Sequence, residues 1–237
     1  MPGSENFPIL TFMKFGKRNP SFRHFLVFLV FLSALLGACK KSNDGNDDTI
    51  LTLLLLQATA ATPCTTRCHI YLSEKYGGAL GIGGIKGPDA ICNGDINRVK
   101  GKTYKAMISV PGSREITGSA TGTPTYTDWV LKANTFYSNS TDPSNTTGST
   151  TNANRIFRDS NVTMQMNFPL GTNGTTFWTG ITITGGNFAN GDNCTNWSTI
   201  GAGVNGQVGV VGASATTLVD ATTNVCNVSN RVVCVEQ

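Results

Sequence analysis

Seven cysteines constrain this chain more than any other feature: Cys39, Cys64, Cys68, Cys92, Cys194, Cys226 and Cys234. An odd number leaves one over for another use. The remaining six make three bridges, which requires an oxidising compartment. Cys234 lies three residues from the last residue, inside the β-branched run "RVVCVEQ". A cysteine there has a purpose if it fastens the terminus to something. The sequence allows three pairings among Cys92, Cys194, Cys226 and Cys234. A zinc site at Cys64 and Cys68 fails on spacing, because no second close pair and no nearby histidine set accompanies them.

The N-terminus accounts for the odd cysteine and for the compartment. Residues 14–24, "KFGKRNPSFRH", are basic, and residues 25–36, "FLVFLVFLSALL", are an apolar run of twelve. That is the core of a signal peptide and too short for a comfortable membrane span. "LGAC", Leu36 to Cys39, follows and resembles the bacterial lipobox. By that resemblance residues 1–38 are a lipoprotein signal peptide, and the Cys39 thiol carries diacylglycerol after cleavage. Two acyl chains make such anchoring stable, at about 0.8 kcal/mol per buried methylene. A start at Met13 gives a 26-residue signal of ordinary size, and N-terminal mapping decides between Met13 and Met1. Residues 39–63 begin "CKKSNDGNDDT" and read as a flexible tether. The apolar core of "ILTLLLLQ" within it is too short to span a bilayer. The Asn-x-Ser/Thr tripeptides opened by Asn145, Asn161, Asn173 and Asn227 match the glycosylation pattern. A lipobox implies a bacterium, so they are read as composition.

Beyond Cys64 the chain breaks into short segments separated by Gly, Asn and Pro. "RCHIYLS" (67–73), "TYKAMISV" (103–110), "FWTGITITG" (177–185) and the closing "RVVCVEQ" are expected strands. "PDAICNGDINRV" (88–99) is the expected helix, with Pro88 at its start, Asp89 near the positive end of its dipole and Gly101 beyond its end. "YGGALGIGGIKG" lacks the spacing of a nucleotide-binding loop and is read as close backbone packing. "DWVLKANTFY" (128–137) contains a short apolar segment, and "RIF" restarts order after residues 138–154. That stretch, "SNSTDPSNTTGSTTNAN", reads as a polar loop that buries nothing.

In this order "YGG…GIKGPDAICN", "TYKAMIS", "DWVLKANTFY", "RIF", "FWTGI", "CTNWS" and the final cysteines with "CVEQ" resemble endostatin, a C-terminal collagen domain with a C-type-lectin-like fold. They resemble more closely the endostatin-like outer-membrane lipoproteins of pathogenic leptospires. The resemblance covers residues 64–237 and implies an α+β domain: mixed and antiparallel strands, one or two short helices, long loops and disulfide staples. It also implies the pairing Cys92–Cys234 and Cys194–Cys226, with Cys64–Cys68 as a local bridge. In the chain-entropy view the first closure contributes about 5 kcal/mol and the second somewhat less.

Charge and motifs narrow the function. From residue 39 onward 14 basic residues face 13 acidic ones, which argues against a general nucleic-acid binder. Gly-x-Ser-x-Gly, His-Glu-x-x-His and any convincing carboxylate pair are missing, so no enzyme, metal or cofactor is expected. His69 stands beside Cys68, but adjacent strand residues face opposite ways and make no dyad. The calcium-binding triplets of sugar-binding C-type lectins and the N-terminal zinc histidines of endostatin are missing, and Ser198 stands where endostatin has an arginine. Trp129, Trp178 and Trp197 are read as core. Lys86, Arg98, Lys100, Lys102 and Lys105 form a candidate patch for acidic molecules, heparan sulphate among them. The resemblance implies a lipid-anchored, non-enzymatic adhesin at the outer-membrane surface. It would bind laminin, fibronectin, plasminogen or complement factor H. A structural lipoprotein without a host ligand and a glycosaminoglycan-binding module are the alternatives.

Overall fold

The computed structural model describes residues 63–81, 83–159, 162–163, 170–212 and 215–237, all within a unit spanning Ala58–Gln237. The signal peptide, Cys39, the tether as far as residue 62 and the segment "ILTLLLLQ" lie outside the described residues. In chain order the described elements begin with strand β1 (Arg67–Leu72), helix α1 (Lys86–Gly94) and strands β2 (Tyr104–Ala106), β3 (Glu115–Ser119) and β4 (Pro124–Thr127). Then come β5 (Phe136–Ser138), β6 (Ser149–Thr150), β7 (Arg158–Asp159), β8 (Val162–Thr163), β9 (Thr176–Trp178), β10 (Ile181–Thr184) and β11 (Asn187–Asn190). Last are β12 (Asn205–Val210), a 3₁₀ turn at Ala215–Leu218, β13 (Thr222–Val225) and β14 (Arg231–Glu236).

One mixed sheet runs β13-β12-β9-β14-β1-β5-β6, with β2 also on β14, and a second runs β10-β11-β3-β4. Strands β7 and β8 make a small ribbon. The seam of the large sheet is the antiparallel pair β1 and β14, in which Tyr71 faces Cys234. β14 pairs in parallel with β9, and β1 in parallel with β5. The first and last strands of the unit therefore lie side by side at its centre. Cys64 N–H donating to Gln237 O at 3.0 Å extends that contact.

The seam is apolar on both faces because side chains alternate along a strand. Ile70, Leu72, Val233 and Val235 face one core, which also holds Tyr137 and Phe157. Tyr71, Val232 and Cys234 face the other, with Cys92, Cys194, Cys226, Trp178 and Trp197. Trp178 and Trp197 pack with ring centroids 5.7 Å apart, and Trp129 is buried in the first core. Three disulfides staple this frame. Cys92–Cys234 joins α1 to β14 across 142 residues, Cys194–Cys226 closes a span of 32, and Cys64–Cys68 closes a span of four.

Local chemistry moved several boundaries away from the sequence expectation. α1 begins at Lys86, two residues before Pro88, and ends at Gly94 rather than near 99. Its end is set by side chains: Asp95 accepts from the backbone N–H groups of Glu74 and Asn97, holding the chain in a turn. "FWTGITITG" is two strands in different sheets, broken at Gly180, whose φ is 63°. A Cβ at Gly180 would lie 2.8 Å from Ser109 O and 2.9 Å from the Trp197 ring. Residues 138–154 were expected to bury nothing, yet Ser138, Ser149 and Thr151 are buried where β6 pairs with β5. The hydroxyls make this feasible: Ser138 donates to Thr147 O, and Thr151 Oγ1 accepts from Thr135 N–H.

Arg114 was not singled out by the sequence, yet its side chain is fully buried. Its guanidinium donates to both carboxylate oxygens of Asp89 on α1 and, through Nε and Nη2, to Asp128 beyond β4. It also donates to Ala106 O at 3.1 Å. Lys105 completes the cluster by pairing with Asp128. Burial opposes the charge on Arg114, but Asp89 and Asp128 outweigh it and raise its pKa.

Candidate functional site

At the Glu236 end of the seam, β1, β14 and the 99–102 turn meet residues 138–143 around a cleft of about 200 Å³. Alternation along the strands decides what lines it. His69 lies on the same face of β1 as Tyr71, and Glu236 on the same face of β14 as Cys234. Cys68 borders the cleft too, but its side chain, on the opposite face, belongs to the other core. His69 is therefore separated from Cys68 by the strand itself.

The His69 ring is wedged among aromatic partners, 5.7 Å from Tyr71 and 5.9 Å from Tyr104 between centroids. Nε2 lies 3.2 Å from Asn139 O, which can only accept, so Nε2 carries the proton. Nδ1 then accepts from the Tyr104 hydroxyl at 3.0 Å. That hydroxyl accepts in turn from Val99 N–H at 3.3 Å. Burial lowers the His69 pKa, against the opposing effects of the Asn139 bond and the Glu236 charge. Burial pushes Tyr104 up to about 12. His69 is thus a neutral wall residue with both ring nitrogens engaged.

Glu236 is buried, with one oxygen accepting from His69 N–H at 2.7 Å. The other lies 2.8 Å from the Lys102 ammonium, off the hydrogen-bonding direction, so that contact is ionic. Across the cleft Asp142 Oδ1 accepts from the Ser144 backbone N–H and hydroxyl, and those bonds lower its pKa. At the mouth the Arg67 guanidinium sits 4.5 Å from the centroid of Phe136, its partner in the β1–β5 register.

Of the five basic residues expected to form one patch, only Lys102 lines this cleft. Lys105 is turned to Asp128 and joins the Arg114 cluster. Lys86 is exposed at the start of α1, Arg98 is half-buried, and Lys100 is exposed with no ion-pair partner among the described residues. The spacing "RVKGKTYK" gave no sign that two of its lysines face carboxylates distant in sequence. Arg67, Asp142 and Glu236 escaped notice because the cleft joins four separate stretches of chain. Its one local signal was the Asx and Ser turn chemistry of "SNSTDPS". Among the described residues no three His, Cys, Asp or Glu side chains converge as metal ligands.

A second cleft of about 420 Å³ opens on the other side of His69, between Tyr71, Asn97, Thr172 and Arg231.

A family model described as "Protein of unknown function (DUF1554)" matches residues 73–214, from just after β1 to just beyond β12. The chain belongs to that family. No curated protein matches the chain.

Proposed function

We propose that this protein is a lipid-anchored lipoprotein of the bacterial outer membrane. Its endostatin-like, C-type-lectin-like domain would bind host extracellular-matrix and plasma proteins. Laminin, fibronectin, plasminogen and complement factor H are the candidate ligands. One observation carries the family part of this reading. Cys92 pairs with Cys234 and Cys194 with Cys226, the nested pattern that the resemblance implies. The lipobox at Cys39 and the polar tether behind it support attachment to a membrane. Binding is favoured over catalysis because the one histidine among the described residues has both ring nitrogens engaged in a buried wall. A glycosaminoglycan module is disfavoured by charge. Two of the five candidate basic residues are paired with carboxylates, and residues 64–237 hold 12 basic against 10 acidic residues.

Protease shaving of intact cells expressing the full chain tests display, with adhesion of the same cells to laminin-coated surfaces as the second readout. Loss of the domain together with loss of adhesion is expected. Protection from protease, with adhesion unchanged by deleting the protein, would instead establish a structural lipoprotein facing the periplasm.

A further inference from the structure

We infer that the cleft between Arg67, Lys102 and Asp142 is the docking point for a single carboxylate side chain, a Glu or Asp presented by a protein partner. This deepens the adhesin reading and rests on it. The inference comes from which groups in the cleft are already used. Glu236 spends one oxygen on His69 N–H and the other on Lys102. Asp142, exposed at the rim, spends one oxygen on Ser144 through two bonds. Arg67 is different: its exposed guanidinium stands 4.5 Å from the centroid of Phe136 and acts on Asp142 through charge alone, donating a hydrogen bond to no group among the described residues. A guanidinium offers five N–H donors in a rigid fork, and carboxylate is the group that fork fits. Thr141 also lines the cleft.

Size and charge choose the kind of carboxylate. About 200 Å³ is below the usual range for drug-sized ligands and suits one side chain. The lining holds two cations, Arg67 and Lys102, against two anions, Asp142 and Glu236. A polysulfated chain would bring many negative charges toward a cleft with no net positive charge. One carboxylate needs only the unused fork. An acidic residue on a protein surface therefore fits better than a polyanionic glycan.

The test uses the ¹⁵N-labelled full chain in detergent, titrated with acetyl-Gly-Gly-Glu-Gly-Gly-amide and with the same peptide carrying Gln for Glu. The Glu peptide is expected to shift the backbone amides of residues 67–69 and 138–142. Binding should weaken about tenfold for the Gln peptide and for Arg67→Gln, the size expected for a lost hydrogen bond to a charged group. Arg67→Lys keeps the charge without the fork and should fall between. It also serves as the second variant if Arg67→Gln does not fold. A heparin oligosaccharide should not displace the peptide. Equal binding of the two peptides, unchanged affinity in both Arg67 variants, shifts confined to other residues, or displacement by heparin would each overturn the inference. Host-protein binding that survives Arg67→Gln, with no peptide binding by the wild type, removes the cleft and leaves the adhesin reading. Peptide binding without any host-protein ligand does the reverse.

Discussion

Replacing Arg114 tests whether the fold depends on a buried charge that the sequence did not advertise. Its side chain is fully buried and makes five hydrogen bonds, four of them to Asp89 and Asp128. Arg114→Met keeps the length of the stem and removes the charge. Breaking a buried ionic cluster by deleting one partner costs about 3–5 kcal/mol, because the remaining charges lose their counter-ion. Here the loss is softened twice: Asp128 keeps Lys105, and neither carboxylate is sealed in, the Asp89 side chain being 22% exposed and Asp128 34%. Water takes up part of the loss, so the expected cost is at the low end, about 3 kcal/mol. At about 2–4 °C per kcal/mol for a domain of this size, thermal unfolding should move down by roughly 6–12 °C. Arg114→Lys should recover part of that, having charge without the fork. Acid adds a second signature. The Asp128 pKa is depressed below its ordinary 3.8 despite burial, by Lys105 and Arg114. That contribution is fully present above the unfolded value and is lost as pH falls through the folded one. The gap between wild type and Arg114→Met in urea midpoint should therefore be widest near neutrality and narrow below about pH 4. A variant within about 0.5 kcal/mol of wild type, or a gap that widens in acid, would refute the reasoning.

The bridges should rank by the length of chain they close. Paired Cys→Ala changes are expected to cost about 5 kcal/mol at Cys92–Cys234, about 4 at Cys194–Cys226 and about 2 at Cys64–Cys68, read as denaturant midpoints at fixed slope. A local bridge as costly as the 142-residue one would contradict this. Gly87 reverses an ordinary expectation. Glycine to alanine inside a helix normally adds about 1 kcal/mol of stability, but a Cβ at Gly87 in α1 would lie 1.9 Å from Leu80 O. Gly87→Ala should therefore lower the unfolding temperature, while Ala at Gly94 on the same helix, where a Cβ meets nothing within 4 Å, should not.

The sequence displayed the parts of the fold that depend on local pattern. The β-branched and aromatic alternation of "RCHIYLS" and "RVVCVEQ" marked the two seam strands, and Pro88 with Asp89 marked the helix within two residues of its start. What stayed hidden depends on contacts distant in the chain. Asp95 ends α1 by binding Glu74 N–H, 21 residues away, which no helix-stop signal predicts. Gly180 splits an apparently continuous strand because Trp197 and Ser109 crowd it from elsewhere. The candidate site was the least legible part. Lys102 was noticed for its basic neighbours, but its partner Glu236 is 134 positions further on, and Arg67 and Phe136 meet only because β1 and β5 pair in parallel.

The central claim, host-protein binding by a disulfide-held domain, is tested most directly with the purified oxidised full chain. Binding to immobilised laminin, fibronectin, plasminogen and factor H is measured alongside a fully reduced sample. Saturable binding to at least one of these that disappears on reduction is the predicted result. Absence of saturable binding to all four, or binding equally strong after reduction, would contradict it.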